Sequence, residues 1–147
     1  MKTSKIPSFD YLVNASDILI PVSDVISISL VENRLNFISR ACRLLHTESF
    51  DTDEAAKTAF NTYALNFESN LPEEAVYRGN NCIARLKFVY GISLFQNAER
   101  AILTLTNRYG GTLVSESAKS DTLDEAFQEL ATSLGGREFE GMGFRWL

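Results

Sequence analysis

One short stretch of this chain is written almost twice. Ile28-Ser29-Leu30-Val31-Glu32-Asn33 returns 64 positions later as Ile92-Ser93-Leu94-Phe95-Gln96-Asn97. An acidic element then follows in each half: Asp51-Thr52-Asp53-Glu54-Ala55, and later Asp121-Thr122-Leu123-Asp124-Glu125-Ala126. The residues predict an α+β fold of two antiparallel β-hairpin or meander units, each followed by one amphipathic helix. The two units are read as an internal pseudo-twofold repeat, with halves 11–72 and 75–147 in a single compact domain, 1–147. The two Asp-Glu-Ala segments lie 71 positions apart, so the second copy holds seven more residues between hairpin and helix. Loops absorb such insertions at small entropic cost.

Two periodicities alternate along each half. Ile18-Leu19-Ile20 reads as a short strand ended by Pro21, which has no amide for a central ladder. Ile26, Ile28 and Leu30 then alternate with Ser27, Ser29 and Val31, the period of a sheet with one buried face. Glu32-Asn33-Arg34 turns the chain, 35–39 return as the partner strand, and 42–47 form a third. From Thr52 the spacing changes to three or four. Ala56, Phe60, Tyr63 and Phe67 make an apolar helical stripe, opened by a capping box of Asp51 and Glu54 and closed by Pro72.

In the second half, residues 82–90 alternate as one strand until Gly91 interrupts, and 92–95 continue it. Residues 102–106 and 112–115 flank Asn107-Arg108-Tyr109-Gly110-Gly111, a hairpin with two glycines available for positive φ. Thr122 and Glu125 have capping-box spacing, Leu123, Phe127, Leu130 and Leu134 share a helical face, and Gly135-Gly136 stops the helix.

Composition removes several functions. With 45% hydrophobic and 22% charged residues, this is an ordinary globular chain. A net charge of −5 repels phosphate backbones unless the basic residues gather on one face, so nucleic acid is disfavoured as a partner. Cys42 and Cys82 form neither a disulfide framework nor a CxxC pair and read as small buried thiols. His46 is the one histidine, which excludes histidine-pair catalysis and multi-histidine metal sites. Glu48 or Asp51 could still orient it as a lone base. The acid pairs Asp53-Glu54 and Asp124-Glu125 are explained by their place in the first turn of a helix. No catalytic residue, metal or cofactor is expected. No apolar run approaches the roughly 20 residues of a membrane span, and a cytoplasmic location is the simplest expectation.

The most site-like segment is Arg108-Tyr109-Gly110. Its glycine permits close backbone approach, its guanidinium can grip an anion with two donors, and its tyrosine offers a stacking face. A plain hairpin tip explains the same residues. Arg34, Arg40 and Arg43 in the first half correspond to Arg85, Lys87 and Arg100 in the second, and a twofold arrangement would face them across a cationic groove. Phe144, Arg145 and Trp146 have the composition of an interface hot spot. These features predict a non-catalytic binding or inhibitory accessory protein with a protein partner, with a homodimer as one form of it. The alternatives are a protein that binds or sequesters a small anionic, nucleotide-like ligand, and a small enzyme.

Overall fold

The computed structural model describes residues 11–15, 18–71 and 74–134. The described residues are mixed α+β, with antiparallel sheets and two helices. The first half runs β1 (Tyr11–Ala15), β2 (Ile18–Pro21), a 3-10 turn (Val22–Asp24), β3 (Ser27–Val31), β4 (Arg34–Ile38), β5 (Leu44–Ser49) and α1 (Asp53–Ser69). The second runs β6 (Val76–Arg78), β7 (Cys82–Arg85), a 3-10 turn (Leu86–Phe88), β8 (Gly91–Gln96), β9 (Arg100–Thr106), β10 (Thr112–Lys119) and α2 (Ser120–Ser133).

The described strands form three sheets, ordered β1-β2, β5-β4-β3-β7-β6 and β10-β9-β8. The middle sheet takes strands from both halves, because β3 pairs with β7 through Ser27↔Ala84, Ile28↔Ile83 and Ser29↔Cys82. Strand pairing therefore does not divide where the sequence halves do, and the pairing alone carries no twofold axis.

Strand β7 has both faces covered, and it separates two cores. Ile83 packs with Ile28, Leu35, Phe37, Phe60 and Phe67 in the core beneath α1. Cys82 and Ala84 point the other way, into the core that α2 closes with Leu123, Phe127 and Leu130 over Ile92, Leu103 and Leu105. Each large side chain fully buried in these cores contributes about 2–3 kcal/mol. Between the sheets the buried Ser27 hydroxyl donates to the Leu113 carbonyl at 2.8 Å, which satisfies a polar group that would otherwise be costly there.

Several local expectations need correction. Residues 82–90 are not one strand. Leu86 and Val89 are both buried three positions apart, the spacing of a 3-10 turn, and the chain leaves the middle sheet there. The N-cap of α1 is Thr52 rather than Asp51, its hydroxyl accepting from the Ala55 amide at 3.0 Å. No capping box opens α2, because β10 passes directly into the helix at Ser120 and no side chain caps it. Instead the Ser120 amide donates to the Glu99 carbonyl and its hydroxyl to the Asn97 carbonyl. The seven extra residues of the second half are not one loop insertion: β9 and β10 have 7 and 8 residues, against 5 and 6 for β4 and β5, and Asp124 is the fifth residue of α2 whereas Asp53 is the first of α1. Cys82 is buried as expected, whereas Cys42 is half-buried in a loop.

Candidate functional site

Two loops meet beside the second 3-10 turn, and they have the same construction. In residues 39–43 the Ser39 hydroxyl accepts from the Ala41 and Arg43 amides, each at 3.3 Å. In 107–111 the Asn107 side-chain oxygen accepts from the Tyr109 amide at 2.9 Å and the Gly111 amide at 2.8 Å. The backbone bonds also correspond. Ser39 N–H donates to Arg43 C=O and Cys42 N–H to Ser39 C=O, while Asn107 N–H donates to Gly111 C=O and Gly110 N–H to Asn107 C=O. The fourth position of each loop has positive φ, 62° at Cys42 and 87° at Gly110. An arginine stands second in each, Arg40 and Arg108. The Asn107 side-chain amide joins the loops by donating to the Arg40 carbonyl at 3.2 Å.

Between them opens a cleft of about 340 Å³, lined by Arg40, Lys87, Phe88, Tyr90, Asn107, Arg108 and Tyr109. Three of the seven lining residues are cationic, three are aromatic and none is a carboxylate. Arg40 lies 4.6 Å from the Phe88 ring centre, and Arg108 lies 5.4 Å from Tyr90 and 5.7 Å from Tyr109. Tyr109 stands at the hairpin tip and is 85% exposed.

Arg85 supports the cleft from behind. Only 5% exposed, it meets Glu74 through two parallel bonds of 2.8 and 2.7 Å, and it donates to the Ser23 and Val25 carbonyls at 3.2 Å. Its guanidinium lies 4.9 Å from Phe88, so it ties both 3-10 turns together under that ring. The bond from Arg85 holds the Glu74 carboxyl below its ordinary range, against the opposing effect of burial. Lys87 shares the same carboxylate at 3.5 Å.

The structure thus gathers Lys87, Arg108 and Tyr109, with Gly110 in the same loop, and adds Arg40 from the opposite one. Arg100 lies elsewhere, at the start of β9, where it donates to the Ser117 hydroxyl at 3.2 Å. Arg34 sits at the β3–β4 turn, 4.0 Å from Glu32. Phe144, Arg145 and Trp146 lie outside the described residues. Phe88, Tyr90 and Asn107 were not among the site residues expected from the sequence, although Asn107 falls within the hairpin loop expected there. The first two were absorbed into a strand alternation, and Asn107 three residues before Gly110 was a legible turn signal.

A second polar group is less site-like. His46 Nε2 lies 3.6 Å from Glu48, which accepts from the Tyr63 hydroxyl at 2.8 Å. Burial and that bond push the Tyr63 hydroxyl well above its ordinary range, so it is a poor proton donor near neutrality. Glu116 is similarly committed, accepting from Tyr77 at 2.7 Å and the Asn80 amide at 2.9 Å. Among the described residues no group of three or more His, Cys, Asp or Glu could hold a metal ion, and no helix is long and apolar enough to cross a membrane.

No protein-family model and no curated protein matches this chain in sequence. A solved structure does match in shape: the LytTr DNA-binding domain of a Bacillus cereus protein described as a methyl-accepting/DNA response regulator. It covers 80% of this chain and 92% of its own, at 14% identity and a TM-score of 0.44. That description runs against two expectations, that the chain is a protein-binding inhibitor and that nucleic acid is a disfavoured partner, and neither is carried further. The whole-chain charge that prompted the second expectation says nothing about where the basic residues gather. At that identity and TM-score the likeness does not establish what this chain's own residues bind.

Proposed function

We propose that this chain binds nucleic acid through the cleft between residues 39–43 and 107–111. The observation that carries this reading is local: in a chain of net charge −5, cations and aromatic rings share one concave face that has no carboxylate among its lining. Arginine offers two donors to a phosphate, and an aromatic ring offers a face to a base. Arg40 and Arg108 are the principal phosphate contacts, with Lys87 weaker because Glu74 stands beside it. Phe88, braced by Arg85, holds Arg40 in place.

The two loops also favour reading the halves as copies of one module. Ser39, Arg40 and Cys42 correspond to Asn107, Arg108 and Gly110. The buried residues Ala56, Phe60 and Phe67 of α1 correspond to Leu123 and Phe127 of α2 and to Leu134, its C-cap, each 67 positions on. On this reading the cleft is where equivalent loops of the two copies converge.

Fluorescence anisotropy with labelled oligonucleotides tests the proposal. Replacing Arg40 and Arg108 together by alanine is expected to weaken binding at least tenfold, since each loses a charge-assisted contact worth about 1.5–3 kcal/mol. Arg34→Ala and Arg100→Ala, outside the cleft, should leave it unchanged. An absence of binding, or an equal loss in the two control variants, overturns the reading.

A further inference from the structure

Resting on that reading, we infer that the cleft takes an unpaired strand rather than a duplex, with Arg40 and Arg108 on its phosphates and a base stacked on Tyr109. A paired base shows only its edges in the grooves, so an aromatic ring can meet its face only when the base is unstacked. Tyr109 is built for such a contact. It is 85% exposed, yet its backbone amide is held by Asn107 and its neighbour Arg108 projects into the same cleft. A large ring kept in water at a fixed hairpin tip does nothing for the protein's own cores.

Neither helix is suited to the major groove of duplex DNA. Readers of the major groove insert a helix or a two-stranded ribbon with its flanks against phosphates. Here α2 carries Asp121, Asp124, Glu125 and Glu129 with no lysine or arginine, and α1 carries Asp53, Glu54 and Glu68 against a single Lys57. Either helix would meet phosphates with repulsion. Among the described residues, Arg40, Lys87 and Arg108 instead share one small concavity with no carboxylate in its lining, the pattern of a groove that tracks one flexible backbone.

The test compares a 12-nucleotide single-stranded DNA, its RNA counterpart and the corresponding DNA duplex by anisotropy at one salt concentration. At least one single strand is expected to bind about tenfold or more tighter than the duplex. Tyr109→Ala should weaken single-strand binding about tenfold, while Tyr109→Phe, which keeps the stacking face, should retain it. The DNA and RNA arms identify which sugar is preferred. A duplex bound as tightly as both single strands, or single-strand binding indifferent to Tyr109→Ala, overturns this inference and leaves nucleic-acid binding standing. Binding of neither form overturns both.

Discussion

Cys42 and Gly110 occupy the same left-handed position in two loops of identical hydrogen bonding, and they meet it with different chemistry. Glycine enters this region without steric cost, whereas a residue with a Cβ gives up about 1 kcal/mol there. The Cys42 thiol also limits its neighbour. A methyl added at Gly111 would stand 2.9 Å from Cys42 Sγ and 3.3 Å from its Cβ. Because that Cβ is fixed to the backbone, the clash cannot be relieved by turning the thiol alone. Gly111→Ala is therefore expected to destabilise the protein, and Cys42→Gly to remove most of that penalty. Urea denaturation of the two single variants and the double variant should give a coupling energy of at least about 0.5 kcal/mol. Additive effects would mean that the two loops do not press on one another as described.

At the scale of elements, the helices show how the same acidic sequence comes to mean two things. Thr52 caps α1, so Asp53-Glu54-Ala55 is its first turn, while Asp124-Glu125-Ala126 lies a full turn inside α2. Thr52→Ala is expected to cost about 1 kcal/mol in thermal or chemical denaturation, and Asp51→Ala distinctly less. Equal losses would restore Asp51 as the cap. The helical stripes of Phe60 and Phe127 and the hairpin around Gly110 were legible because each depends on short-range spacing. What escaped depends on tertiary contacts. The alternation from Cys82 to Tyr90 continues through a 3-10 turn because Leu86 and Val89, three positions apart, are buried together in the core that α2 closes. That misreading placed Phe88 and Tyr90 on a strand face and hid two walls of the cleft. Arg85 and Lys87, adjacent but one in sequence, looked equivalent. Only the fold separates them, by giving Arg85 the two oxygens of Glu74 and leaving Lys87 at the cleft.

For the whole molecule, the surplus of negative charge and the small cationic cleft act on binding at different distances. Carboxylates on α1 and α2 repel a polyanion over the Debye length, about 10 Å at 0.1 M salt, whereas contacts inside the cleft act at a few ångströms. Added salt therefore weakens the repulsion as well as the attraction, and affinity should fall less steeply than in a basic protein. If Arg40, Lys87 and Arg108 each displace one counterion from a single strand, log K against log salt should have a slope no steeper than about −2. Arg108→Ala should make that slope shallower by about 0.7 while leaving the fold intact, since its guanidinium lies against the Tyr90 and Tyr109 rings at the cleft rather than in either core. Anisotropy titrations between about 50 and 300 mM salt, over which the Debye length falls from about 14 to about 6 Å, measure both values. A slope several units steeper would place further cations in the footprint and extend the binding face beyond this cleft. A slope unchanged by Arg108→Ala would remove that residue from the phosphate contacts and leave Tyr109 as the loop's contribution to binding.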